Sequence, residues 1–188
     1  SAGEVIVDRY NPLLPRDMLP GEYTLRVSVC DVTAEVGTFV TQAISRTFAI
    51  PHPSHPLLIS LGGKVMLLGY DLSTDEVAPG EKLLVTLYWQ ALKEMDENYT
   101  VFVHLIAPDG TMAGQRDSWP LHGSYPTTLW LSGEVITDTY EIEVETAASL
   151  GEHLLEAGMY IAETGKRLEV GEGSHDAIVL QPILVTSR

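Results

Sequence analysis

Hydrophobic and polar residues alternate along most of this chain, which is the pattern of β-strands with one buried face. In KLLVTLYWQA, residues 82–91, every second residue from Leu83 to Ala91 is apolar, and Trp89 belongs to that set. The residues between them are polar or amphipathic. We therefore expect this segment to be a strand whose Leu83–Ala91 side faces a core.

The next segment, NYTVFVHLIA (residues 98–107), is apolar on both sides of the alternation and is expected to be buried on both faces. His104 stands on the same side as Phe102 and Ile106, which indicates a partly buried, hydrogen-bonded histidine rather than a metal ligand. The PDG at 108–110 combines three turn-forming residues and predicts a hairpin to the following strand.

Two further segments show the same period of two. In EVITDTYEIEV (134–144) an inward apolar set faces away from an outward set of Thr and Glu. In EYTLRVSVC (22–30) the inward set is Tyr23, Leu25, Val27 and Val29, and a turn region is expected afterwards at 33–37.

Helical spacing is scarce, and Gly-Glu pairs recur immediately before the alternating segments. Pro20-Gly21 and Pro79-Gly80 suit the central positions of type II turns, where the second residue needs a positive φ. Eight or more short strands with regularly spaced turns predict an all-β fold. We expect an immunoglobulin-like antiparallel β-sandwich, with a jelly roll as the alternative topology.

The chain contains an internal repeat. GEVIVDRY from Gly3 matches GEVITDTY from Gly133, and the same offset of 130 aligns Gly21-Glu22 and Leu25 with their counterparts near 151. Residues 1–50 are therefore predicted to be the C-terminal half of a preceding β-sandwich repeat. Residues 51–56, PHPSHP, are predicted to be a stiff Pro-rich linker, and residues 57–188 a complete module. A half sandwich exposes apolar surface and an open sheet edge, so the first half is expected to pack on the complete module or on a neighbouring chain.

Composition narrows the classes of function. Apolar residues form 45% of the chain and charged residues 20%, so a folded core is expected. The 26 Asp and Glu residues outnumber the 11 Lys and Arg residues, and a net charge of -15 argues against nucleic acid as a partner. No apolar run approaches the roughly 20 residues needed to span a bilayer, so no membrane insertion by this fragment is expected. The single cysteine, Cys30, cannot form an internal disulfide.

The best candidate for a binding site is QRDSWPLHGSYPTTLW, residues 115–130. Aromatic rings stack on sugar rings, and neighbouring polar groups can bond sugar hydroxyls, which favours carbohydrate binding. The alternative is that these aromatic residues close one end of the sandwich while Asp117 and Ser118 cap turns. The candidate residues are Asp117, Trp119, His122, Tyr125 and Trp130.

No catalytic, metal-binding or cofactor-binding motif stands out. The chain lacks a Gly-x-Ser-x-Gly elbow, a His-Glu-x-x-His pair and a Gly-Lys-Ser phosphate loop. A carboxylate pair for glycoside hydrolysis would have to come from Asp117 and Asp138, whose separation the sequence does not fix. We expect no catalytic residues, no metal and no cofactor.

The order of LYWQAL, YTVFVHL, PDG, the Asp-Ser-Trp-Pro loop, YPTTLW and GEV resembles a known kind of module. It is similar to the tandem extracytoplasmic β-sandwich modules appended to large bacterial multi-pass membrane proteins of glycosyltransferase type. The resemblance covers about residues 65–170, and residues 3–30 for the second half. It implies a non-catalytic accessory domain at the extracytoplasmic face of a bacterial membrane, with transfer chemistry in the membrane part.

These observations lead us to expect a non-catalytic accessory or interaction module of a larger bacterial surface or membrane protein. Its expected partners are the rest of the parent protein or a neighbouring module, with glycans as a further candidate. Carbohydrate binding through the 115–130 aromatic residues is the alternative, and a glycoside-active enzyme comes third.

Overall fold

The structure is a computed structural model that describes residue 14, residues 18–171, residue 173 and residues 175–187. The chain divides into two compact units, residues 1–45 and 46–188. The sequence places the end of the first segment at residue 50. The division falls earlier because Thr47 already pairs with Val135 in the second unit.

The first unit contains an antiparallel hairpin of β1 (Gly21–Val29) and β2 (Val32–Thr41). The reversal lies at Cys30, which has a positive φ of 52°. The turn region expected at 33–37 is therefore wrong, because those residues belong to β2. The repeated GEVIVDRY segment lies outside the described residues.

The second unit is built from two sheets. In chain order its strands are β3 (His55–Leu61), β4 (Val65–Leu72), β5 (Glu76–Val77), β6 (Lys82–Ala91), β7 (Tyr99–Ile106), β8 (Met112–Ser118), β9 (Val135–Glu143), β10 (Gly151–Ile161), β11 (Lys166–Arg167) and β12 (Ile178–Val185). One sheet has the order β3-β4-β6-β9. The other has the order β5-β12-β10-β7-β8, with β11 paired to β10. All pairings are antiparallel except the short β5–β12 contact.

One hydrophobic cluster joins the two sheets. It contains Leu83 and Trp89 of β6 together with Leu105 of β7 and Leu155 of β10, all fully buried. The alternation predicted for 82–91 is confirmed, and Tyr99–Leu105 is buried at every position, as predicted. The all-β antiparallel sandwich is therefore confirmed, and its strand order is compatible with the immunoglobulin-like and the jelly-roll descriptions.

The Pro-rich segment lies against β4 within the second unit. The predicted linker 51–56 ends inside β3, because His55 and Pro56 pair with Tyr70 and Gly69. Gly69 has a φ of 155°, and a Cβ there would overlap Pro53 and lie 2.5 Å from the His55 carbonyl oxygen. Glycine at position 69 thus lets the proline segment approach β4 closely.

Two glycines that the sequence places in turns adopt a positive φ. Gly80 and Gly110 both have a φ of 85°. Gly110 ends the PDG turn between β7 and β8, where the Ala107 amide donates to the Thr111 carbonyl oxygen at 2.8 Å. The hairpin predicted from PDG is therefore confirmed.

Candidate functional site

The outer face of the larger sheet carries a group of polar side chains from adjacent strands. In the register of β8, β7 and β10, His104 lies opposite Gln115 and Glu156. Asp117 lies opposite Phe102. Residues opposite one another in antiparallel strands project from the same face, so these side chains point away from the core residues of β7 and β10.

Asp117 is at the centre of this group. Its Oδ1 lies 3.0 Å from His104 Nε2, and its Oδ2 accepts a hydrogen bond of 3.0 Å from the Tyr160 hydroxyl. Because an ionised carboxylate only accepts, Nε2 of His104 carries the hydrogen in this pair. Nδ1 of His104 lies 3.7 Å from Glu156 Oε1. The hydrogen bond to Asp117 thus orients the imidazole, with Glu156 near its other side.

These contacts keep Asp117 ionised. Burial alone would raise the pKa of Asp117, but hydrogen bonds from His104 and Tyr160, with the nearby positive charge of Arg167, hold it below its ordinary value. Burial and the bond to Asp117 raise the pKa of Tyr160, so this phenol remains a donor. The Asp117 side chain is 32% exposed, and each of its oxygens accepts one protein hydrogen bond in this set. It therefore keeps acceptor capacity toward solvent.

An aromatic and cationic layer borders the carboxylate. The Phe102 ring lies against Gly158, where a Cβ would overlap the ring, and Arg167 lies over the same ring at 4.2 Å from its centroid. Arg167 also reaches Asp176 at 3.3 Å. Phe102 is fully buried as a result, although its strand face points outward.

We call Asp117, His104, Tyr160, Glu156 and Arg167 the sheet-face patch. Two carboxylates in it face one guanidinium and one imidazole, and Asp176 adds a third carboxylate beside Arg167. This charge balance disfavours an anionic ligand. Fixed carboxylate acceptors with remaining exposure suit a neutral ligand rich in hydroxyl groups.

Only Asp117 of the five candidate residues belongs to this patch. Trp130 is fully buried, and its indole N–H donates to the Tyr125 carbonyl oxygen at 3.2 Å. Tyr125 is 7% exposed, and its hydroxyl donates to Glu134 Oε1 at 2.8 Å. Neither ring exposes a face to solvent, and both belong to the hydrophobic core cluster.

Trp119 and His122 lie at the surface, and neither belongs to the sheet-face patch. Trp119 follows β8 and is 37% exposed. His122, with a φ of 55°, lines a cavity of about 380 Å³ together with Arg116, Thr139 and Glu141. The loop thus distributes its candidate residues over the core, the surface and the sheet.

Asp138, the other carboxylate considered for hydrolysis, lies in β9 of the opposite sheet. It is 1% exposed and accepts a hydrogen bond from the Tyr140 hydroxyl. Burial raises the pKa of Asp138 more than this hydrogen bond and the Leu121 amide lower it. Asp117 and Asp138 therefore occupy different sheets and opposite electrostatic environments.

Sequence reasoning did not identify Tyr160, Glu156 and Arg167 as partners of Asp117. The alternation placed His104 on the correct face of β7. The pairing of β7 with β10, whose residues are about fifty positions away, carries no local signal. Knowledge of strand order was the missing information.

Within the described ranges, no group of three or more His, Cys, Asp or Glu residues could hold a metal ion. Over the same ranges, no helix has the length and apolar character needed to cross a membrane.

Comparisons with known proteins identify no family. No family model matches the chain, and neither does any curated protein. Among solved structures, the C-terminal domain of Wzt is similar with a TM-score of 0.48 and 12% identity, over 73% of this chain and 83% of that one. Spo0M, a sporulation control protein from Bacillus subtilis, has a TM-score of 0.36 and 15% identity, over 70% of this chain and 50% of that one. Similarities of this size carry no functional argument.

Proposed function

We propose that this chain is a non-catalytic accessory β-sandwich module of a larger bacterial surface or membrane protein, and that the sheet-face patch binds a neutral carbohydrate. The observation that carries the proposal is the Asp117 carboxylate, which His104 and Tyr160 hold in place on an exposed sheet face. A preorganised acceptor costs little ordering when a hydroxyl ligand binds. The extracytoplasmic location proposed for the module rests on the resemblance described above.

The placement of the two carboxyl groups supports the non-catalytic assignment. A retaining glycoside hydrolase needs a general acid with a raised pKa and an ionised carboxylate within reach of the same bond. The raised pKa of Asp138 and the lowered pKa of Asp117 would suit these two roles, but Asp138 is 1% exposed and lies in the other sheet. Asp138 is therefore closed off from a substrate bound at the sheet-face patch.

Affinity electrophoresis in gels containing neutral bacterial polysaccharides tests the proposal. We expect wild-type protein to be retarded, and Asp117→Asn and Tyr160→Phe each to weaken retardation about tenfold, the loss of one charge-assisted hydrogen bond. Glu141→Gln is the matched control. It removes one negative charge from the exposed Lys82–Glu141 pair on the other sheet and should leave retardation unchanged.

Each outcome has a defined meaning. Absence of retardation by every neutral polysaccharide would contradict carbohydrate binding. If Trp119→Ala abolished retardation while Asp117→Asn did not, the ligand would bind the exposed loop instead of the sheet face. Equal loss in Glu141→Gln would show that overall charge, rather than the patch, governs migration.

A further inference from the structure

The hairpin of the first unit exposes a continuous apolar face. Leu25, Val27 and Val29 of β1 are 41%, 44% and 67% exposed, and Val32 of β2 is 71% exposed. The opposite face is polar and internally paired, because Arg26 bonds Glu35 at 2.7 Å. An amphipathic hairpin of two strands does not bury its own apolar side.

The internal repeat relates this face to a buried face of the complete module. With the offset of 130, β1 corresponds to Gly151–Met159 of β10. Gly21 and Gly151 are the first residues of these two strands, and each strand pairs antiparallel with a later strand, β2 or β12. The residues of β1 on the apolar face correspond in order to four residues of β10. Tyr23, Leu25, Val27 and Val29 match His153, Leu155, Ala157 and Met159.

In the complete module these corresponding positions are buried. His153 is 1% exposed, and Leu155, Ala157 and Met159 are 0% exposed. They are covered by the facing sheet, to which β4 and β6 belong, and β10 is bonded along its second edge to β7 over eight residue pairs. In the described part of the first unit, β1 has only β2 as a neighbour.

The facing sheet and the edge strand that cover β10 come mainly from one part of the sequence. β3, β4, β6 and β7 all lie between His55 and Ile106, and they precede the repeated segment that begins at Gly133. The equivalent of this region, standing before Gly3, would supply a strand for the free edge of β1 and a sheet for its apolar face.

We infer that the apolar face of the hairpin is the docking surface for a further half module equivalent to residues 57–132, placed before Gly3 in chain order. Its strand equivalent to β7 pairs antiparallel with β1, in the register that Ile106–Tyr99 shows with Leu154–Ile161. The hairpin then becomes part of a larger sheet, with Leu25, Val27 and Val29 in a core. This inference is independent of carbohydrate binding.

A fusion tests it directly. A second copy of residues 55–132 is joined to Gly3 of the chain, so that Ser132 precedes Gly3 as it precedes Gly133. Amide hydrogen exchange of residues 22–29 is compared between the fusion and the parent chain. We expect exchange to slow by about tenfold or more in the fusion, because these amides gain a partner strand.

A matched fusion carries Val101→Asp and Val103→Asp in the added copy only. These substitutions place charges at core positions of the added strand and should return exchange of residues 22–29 to the parental rate. Unchanged exchange in the unsubstituted fusion overturns the inference. Concentration-dependent dimerisation of the parent chain with protection of β1 also overturns it, since a second copy would then be the occupant.

Discussion

The guanidinium of Arg46 lies 2.5 Å from the carboxylate of Glu134, although the two residues are 88 positions apart. Glu134 also accepts hydrogen bonds from the Tyr125 hydroxyl and from the Leu131 amide at 2.9 Å. The Glu134 side chain is 2% exposed. The glutamate of the repeated Gly-Glu motif therefore links Arg46 to Tyr125 and Leu131.

Removing this carboxylate is expected to be costly. Glu134→Ala removes the carboxylate that faces a mostly buried guanidinium and accepts from the Tyr125 hydroxyl, which should lower the free energy of unfolding by about 3 to 5 kcal/mol. Urea denaturation measures the change. Glu141→Ala, which breaks the exposed pair with Lys82, should cost at most about 1 kcal/mol, and equal losses in the two variants would contradict this account.

A methyl group at position 158 should destabilise the larger sheet. In Gly158→Ala the new Cβ overlaps the Phe102 ring, and overpacking of this kind costs about 1 to 3 kcal/mol. Gly37→Ala is the matched control, because a Cβ there meets nothing within 4 Å. Thermal unfolding should show a lower Tm for the first variant alone, and an unchanged Tm for it would mean that the Phe102 ring moves freely.

The two tryptophans considered as carbohydrate-binding residues should behave differently when each is replaced by alanine. Trp130→Ala removes a fully buried ring and should lower the free energy of unfolding by about 3 to 5 kcal/mol. Trp119→Ala removes a ring that is 37% exposed and should cost clearly less. Chemical denaturation compares them, and a larger cost for Trp119 would reverse their assigned environments.

The buried Asp138 predicts a pH dependence of stability with a defined sign. Its pKa is raised in the folded state, mainly by burial, so its contribution to stability is full below the unfolded pKa and is lost as pH rises through the folded pKa. From about pH 4, near the unfolded value, toward neutral pH, wild type should lose stability relative to Asp138→Asn. Urea denaturation at a series of pH values measures this difference.

Comparing wild type with Asp138→Asn removes the contributions of the other acidic residues to the pH dependence of stability. Asp71, Asp109 and Asp117 have lowered pKa values in the folded state and change stability in the opposite direction, but they are common to both proteins. A constant difference across the pH series would show that Asp138 has the same pKa in the folded and unfolded states.

The sequence predicted those parts of the fold that depend on local alternation. The inward positions of β6 and β9 and full burial of β7 follow from the period of two and from apolar content alone. The turn between β1 and β2 was misplaced because Cys30 and Asp31 form a tight reversal without the Pro-Gly or Asn-Gly signal that usually marks one.

The candidate site was only partly predictable for a related reason. Aromatic residues clustered in a loop can bind a ligand or fill the end of a core, and local sequence does not distinguish these roles for Tyr125 and Trp130. In the structure Tyr125 contacts Glu134 and the distant Arg46, and the Trp130 side chain is fully buried. Asp117 was identified by residue type, whereas His104 and Tyr160 required the pairing of three strands.

Arg167 covers the Phe102 ring beside Asp117, so the segment that follows Arg167 shapes this part of the outer face. Insertions or exchanges between Arg167 and Asp176 would uncover or shift the aromatic layer beside Asp117 without altering any core strand. Sequence changes confined to this short connection can therefore alter the surface beside Asp117 while the sandwich beneath stays the same.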